Sequence, residues 1–220
     1  MLAALAMTTG CQNKPAETAD STNAATDSVV AESPLDNAVV RAIMDRRSVR
    51  KYKPEPVPKE MLDVILHCGI NAPNAMNEQR WEVRVTESKA FIDGVTKVFI
   101  DSAKDDERVQ KMVGDPDFRN MFRNAPTVIF VAGKADEKSS PIDCGLLGEN
   151  IMLAAQSMGL GTCCLGSAAG FLNSNPGAAN YLKQLAFSDG YELLYAIAIG
   201  YPDESPEAKP RDASKIRYIE

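Results

Sequence analysis

Arg46-Arg47-Ser48-Val49-Arg50 sets three guanidinium groups and a hydroxyl within five residues, and Lys209-Pro210-Arg211 sets a second cationic cluster near the far end of the chain. Two small basic clusters in a chain of net charge −6 point to one anionic ligand gripped from two sides. A phosphate suits the donor set, because guanidinium groups bind its oxygens bidentately and the Ser48 hydroxyl adds a neutral donor. A plainer reading competes. Arg46, Arg47 and Arg50 close an expected helix, where cations offset the negative end of the helix dipole. Taken alone, the five residues fit a solvated helix end better than a binding site.

The elements around them follow from patterning. Ser33-Pro34 is suited to capping a helix with proline near its first position, and Val39, Val40, Ile43 and Met44 supply its apolar stripe. That helix delivers the arginines at its C-terminal end. Lys51-Tyr52-Lys53-Pro54-Glu55-Pro56 cannot continue it, and Pro58 starts a second helix with Met61, Leu62, Ile65 and Leu66 on one face. Ile70 to Gln79 reads as a loop, and Trp81 to Thr86 alternates as a half-buried strand.

A helix over Lys89–Ser102 and a charged, weakly periodic insertion through Arg123, read as a lid, come next. The apolar run Thr127–Ala132 reads as a strand buried on both faces. Ile142–Met158 reads as a core helix with Ile142, Leu146, Leu147, Ile151, Ala154, Ala155 and Met158 inward, ended by Gly159-Leu160-Gly161. Thr162–Leu165 reads as a short strand, Gly166–Gly170 as a small-residue turn, Gly177–Leu185 as a short helix, and Glu192–Gly200 as a buried strand. The order is α-α-β-α-β-α-β-α-β, an α+β sheet layered with helices and without internal repeats.

Length and composition fit one soluble domain: 220 residues, 45% hydrophobic and 25% charged. The acidic balance argues against nucleic acid as a partner. No apolar run reaches the roughly 20 residues of a membrane-spanning helix.

Residues 1–10 (MLAALAMTTG) form an apolar, signal-like segment directly before Cys11, and residues 11–33 form a polar tether. The arrangement resembles a bacterial lipoprotein signal, which would leave Cys11 as the lipidated N-terminus and put the protein in the cell envelope, anchored to the membrane. It departs from that pattern in lacking a basic n-region and in placing Thr8 where leucine is usual. The alternatives are a disordered tail with an incidental cysteine and a cytoplasmic protein. Residues 34–220 form the globular domain.

Among the remaining cysteines, Cys68 and Cys144 read as buried thiols, and Cys163-Cys164 as packing residues of a strand rather than a strained disulfide. No cysteine pair has metal spacing and His67 is the single histidine, so no metal site is expected.

Four segments, in order, resemble the nitroreductase superfamily: Arg46–Tyr52, Ala72–Trp81, Asp143–Cys163, and Ala198–Pro202 together with Lys209–Arg211. The resemblance spans about Leu35 to Arg217. It implies a nitroreductase-like α+β fold, with a central, mostly antiparallel sheet flanked by helices in a domain-swapped-style homodimer that binds FMN at the subunit interface. It also implies hydride transfer from NAD(P)H through flavin N5 to a nitroaromatic, quinone or similar acceptor by a ping-pong mechanism. Catalysis then needs no side-chain nucleophile.

By the same resemblance, Arg46 and Ser48 contact the FMN phosphate with Lys209 and Arg211, Arg47 lies beside them, and Arg50 lies near the ribityl chain and pyrimidine edge. Pro73, Asn74, Ala75 and Asn77 line the flavin, from the partner subunit. Gly166 and Ser167 bring a backbone N–H to flavin N5, and Asn120 is a candidate for the pyrimidine edge. Arg80 replaces the family's proline before Trp81, Glu78 adds charge to the flavin-facing loop, and Cys164 replaces a common aromatic. An envelope location favours a second reading, a flavin-binding electron relay without direct NAD(P)H turnover.

Overall fold

The computed structural model describes residues 37–220. Cys11, the segments 1–10 and 11–33, and the Ser33-Pro34 cap lie outside the described residues. Four antiparallel strands, β1 (Trp81–Thr86), β2 (Thr127–Lys134), β3 (Gly161–Leu165) and β4 (Tyr191–Gly200), form one sheet in the order β1-β2-β4-β3. Alternation along the strands feeds two separate cores. Val128, Phe130, Ala196, Ala198, Cys163 and Leu165 face one way, against α3 (Lys89–Ser102) and α6 (Gly166–Ser174). Ile129, Val131, Ile197 and Ile199 face the other way, against α2 (Lys59–Ile70) and α5 (Ser140–Ser157). β2 is buried from Thr127 through Gly133, as a central strand covered on both faces must be.

The remaining helices are α1 (Ala38–Asp45), α4 (Glu107–Val113) and α7 (Ala179–Gln184). α4 falls inside the charged insertion, and α6 takes the place of the expected small-residue turn. A helix forms there because Ala168, Ala169 and Leu172 dock its inner face on the sheet, which outweighs the weak helical preference of Gly166 and Gly170. Among the described residues the cap of α1 is Asn37, whose side chain accepts the Val39 and Val40 N–H groups at 3.0 and 3.1 Å.

Several side chains expected inside lie outside. Ile142 is 67% exposed and Leu146 41%, on the outer side of α5, and the whole stripe Val39, Val40, Ile43 and Met44 is exposed on α1. Apolar residues are spread over more than one face of α5, and the sheet covers only the face that carries Cys144, Leu147, Ile151 and Ala155. Cys68 and His67 are exposed too, against the expectation of a buried helix face, while Cys144 and Cys163 are buried and Cys164 is exposed. Cys68, Cys144, Cys163 and Cys164 are free thiols, and no metal-ligating cluster occurs among the described residues. No described helix is long and apolar enough to cross a membrane.

Candidate functional site

The arginine cluster follows α1 and is stitched to the sheet by main-chain bonds. Ser48 bridges Thr162 of the edge strand β3, with Val49 N–H donating to the Thr162 carbonyl at 2.9 Å. Further along, Lys53 N–H donates to the Tyr201 carbonyl and Asp203 N–H to the Lys51 carbonyl, both at 2.9 Å. Between these seams Tyr52 is fully buried, its hydroxyl donating to the carbonyls of Val49 (2.6 Å) and Ala198 (3.3 Å). Gly161 permits the close approach, because a Cβ there would lie 2.8 Å from a Val49 methyl. Burial raises the Tyr52 phenol far above its ordinary range and raises the Cys163 thiol, which Arg50, Arg123 and Arg46 pull the other way.

The seam to residues 201–203 carries the C-terminal segment back across the cluster. A cleft of about 100 Å³ results, lined by Arg46, Arg47, Ser48, Arg50, Pro206, Glu207, Lys209 and Arg211. The two basic clusters therefore meet, five cations against one lining carboxylate, in a chain of net negative charge. Arg46 also pairs with Glu149 of α5 at 3.5 Å, and the Arg50 N–H donates to Glu204. Arg47 turns back instead, donating to the carbonyls of Met44 (2.6 Å) and Arg46 (2.9 Å), so it closes α1 as the helix-end reading requires.

Beside this cleft lies a cavity of about 150 Å³ that Arg50 shares with Lys51, Asn120 and Arg123. Asn120 is buried there, but its amide organises the turn: Nδ2 donates to the Ala125 carbonyl, and Oδ1 accepts the N–H groups of Phe122 and Asn124. Arg123 and Asn124, at φ 60° and 66°, are left-handed, which presents the exposed Arg123 to the cavity. Sequence reasoning missed Arg123, Glu149 and Glu207. The Asn-Ala-Pro that follows Arg123 was the available signal, asparagine being tolerant of left-handed backbone.

Pro73, Asn74, Ala75 and Asn77 line neither cleft. They sit in a separate loop tied to α5, where Asp143 Oδ1 accepts the Ala75 N–H at 3.2 Å. Gly166 and Ser167 are exposed at the start of α6, which has no side-chain cap. A Cβ built on Gly166 meets nothing within 4 Å, and the first N–H groups of a helix have no partner within it.

A two-core α/β/α sandwich with a cationic cleft at its β3 edge defines an α+β protein with a concentration of positive charge beside its sheet. The chain belongs to the nitroreductase family, whose profile matches residues 43–201. It is 27% identical over 188 residues to the NADPH-flavin oxidoreductase of Vibrio harveyi, covering 80% of this chain and 70% of that one. Its fold matches the FMN-bound nitroreductase of Bacteroides fragilis, with a TM-score of 0.73 at 26% identity over 84% of this chain and all of that one. The FMN-bound nitroreductase of Desulfitobacterium hafniense matches with a TM-score of 0.74 at the same identity and coverage.

Proposed function

We propose that this protein is an FMN-dependent NAD(P)H oxidoreductase that moves hydride to a nitroaromatic, quinone or similar acceptor in a ping-pong cycle. The carrying observation is the meeting of Arg46–Arg50 with Lys209–Arg211 in one cleft. Its donor chemistry fits the terminal phosphate of FMN, a dianion that bidentate guanidinium groups and a hydroxyl hold well. Arg46, Ser48, Lys209 and Arg211 hold the phosphate. The Arg50 guanidinium offsets negative charge at the flavin's N1–C2 edge. The open N–H groups of Gly166 and Ser167 serve as donors at the flavin face. When bound, the flavin supplies the two-electron relay between nicotinamide and acceptor.

Stopped-flow mixing under anaerobic conditions tests the assignment. The bound flavin should bleach on addition of NADH or NADPH and recover its colour with a quinone. A flavin left oxidised by both donors would replace this reading with the electron-relay one.

The working unit is a homodimer, with the Pro73–Asn77 loop facing the flavin of the partner subunit. Three features support a second copy as partner: Ile142 and Leu146 are exposed on α5, the α1 stripe is exposed among the described residues, and an apolar groove of about 650 Å³ lies between α1, α2 and α5. Anchoring through Cys11 in the cell envelope is a further element of the proposal, checked by mass spectrometry of the native N-terminus. An unmodified Met1 rules it out.

A further inference from the structure

The segment Asn74–Gln79 holds three non-glycine residues in left-handed backbone, Met76 (φ 54°), Asn77 (φ 55°) and Gln79 (φ 50°). Such geometry persists only where the surroundings over-determine it. Main-chain bonds close the turn itself, with the N–H groups of Asn77, Glu78 and Trp81 donating to the carbonyls of Asn74, Ala75 and Gln79 at 3.3, 3.0 and 2.8 Å, and side chains brace it further. Asn74 Oδ1 accepts the Gln79 N–H at 2.9 Å, closing the loop on itself, and Asp143, only 4% exposed, takes the Ala75 N–H. The third restraint is Arg80. Its Nη2 pairs with Glu78, inside the turn. Its Nη1 pairs with Glu137 at 3.1 Å and donates to Ser139 Oγ at 3.2 Å, on the connection between β2 and α5. The Arg80 carbonyl accepts from Lys134 N–H and Ser140 Oγ on that same connection, so the root of the staple is fixed to the sheet.

We propose that Arg80 is a positioning residue, a two-pronged ionic staple that holds the loop in its substrate-facing shape and thereby sets the KM for the electron acceptor. The proposal rests on the reading that this loop lines a flavin. One guanidinium bridges two carboxylates whose side chains are 40% and 35% exposed, so salt reaches both pairs while Arg80 itself is largely covered. A loop held this way loosens as ionic strength rises, and loss of positioning near a reacting centre lowers effective substrate binding.

The test uses the full chain loaded with FMN, a soluble naphthoquinone as acceptor, and whichever nicotinamide nucleotide reduces the flavin. Arg80→Ala and Glu137→Gln are each expected to raise the quinone KM by about five-fold with kcat held within about two-fold. The double variant should be no worse than Arg80→Ala, because both substitutions open the same staple. Arg80→Lys, which keeps the charge but not the fork, should recover part of the loss. About 0.5 M NaCl should raise the wild-type KM and leave that of Arg80→Ala unmoved. If Arg80→Ala does not fold, Glu137→Gln and the wild-type salt titration carry the same test. A purely structural Arg80 would lower the melting temperature and leave the KM alone, which overturns the proposal, as would additive effects in the double variant. A wild-type protein that takes up no FMN brings down both readings. One that turns over with a KM indifferent to salt and to both substitutions brings down only the staple.

Discussion

The cation cleft and the Asn74–Arg80 loop are held by opposite means. The cleft's segment is laced by main-chain bonds to β3 and to the residues after β4, over the buried Tyr52, and those bonds lie beyond the reach of salt. The loop has only short main-chain bonds within its own turn, and it is tied to its surroundings by a buried carboxylate and by an ionic fork whose carboxylates are partly exposed. The Arg46–Arg50 wall of the cleft is thus fixed to the sheet, as a site needing set donor geometry requires, while Lys209–Arg211 comes from the exposed chain beyond it. The loop can be loosened without unfolding the core, as the proposed role at the acceptor side requires.

The contrast can be broken at several points. The largest expected effect is on the cleft: Arg46→Ala and Arg211→Ala should each weaken FMN binding by about 10- to 100-fold, for loss of one charge-assisted contact of roughly 1.5–3 kcal/mol. Flavin fluorescence titration measures it, and an unchanged affinity in both variants would move the phosphate elsewhere. Tyr52→Phe comes next. It removes the hydroxyl that ties Val49 to Ala198 and should lower stability by about 1–2 kcal/mol, read by denaturant unfolding. A Tyr52→Phe protein of wild-type stability would show that the main-chain seams suffice alone. Arg47→Ala is the smallest. Its guanidinium closes α1, so FMN affinity should change by less than about three-fold, and a loss matching that of Arg46→Ala would restore Arg47 to the phosphate.

The same contrast explains what the sequence disclosed. The strands from Trp81, Thr127 and Tyr191 and the helix Lys89–Ser102 were legible because alternation and apolar runs follow from burial, whereas the sheet's antiparallel character came from the family resemblance. The meeting of Arg46–Arg50 with Lys209–Arg211 was suggested by two cationic clusters in an acidic chain, but only the family resemblance outweighed the solvated helix end. Exposed Ile142 and Leu146 were misread because periodicity marks a face as apolar without saying which partner covers it. The α6 helix was hidden by its glycines, whose local preference the sheet overrides. Arg123 and the Arg80 staple escaped because left-handed turns and ion pairs between distant segments leave no periodic trace.

The cleft's role is tested most directly by titrating the protein with FMN and with riboflavin, which differ only in the phosphate, in the wild type and in the Arg46→Ala/Arg211→Ala double variant. A phosphate grip in this cleft makes the wild type favour FMN by about 100-fold or more, and the double variant nearly indifferent. Equal affinity of the wild type for the two flavins, or a preference that survives both substitutions, would contradict it.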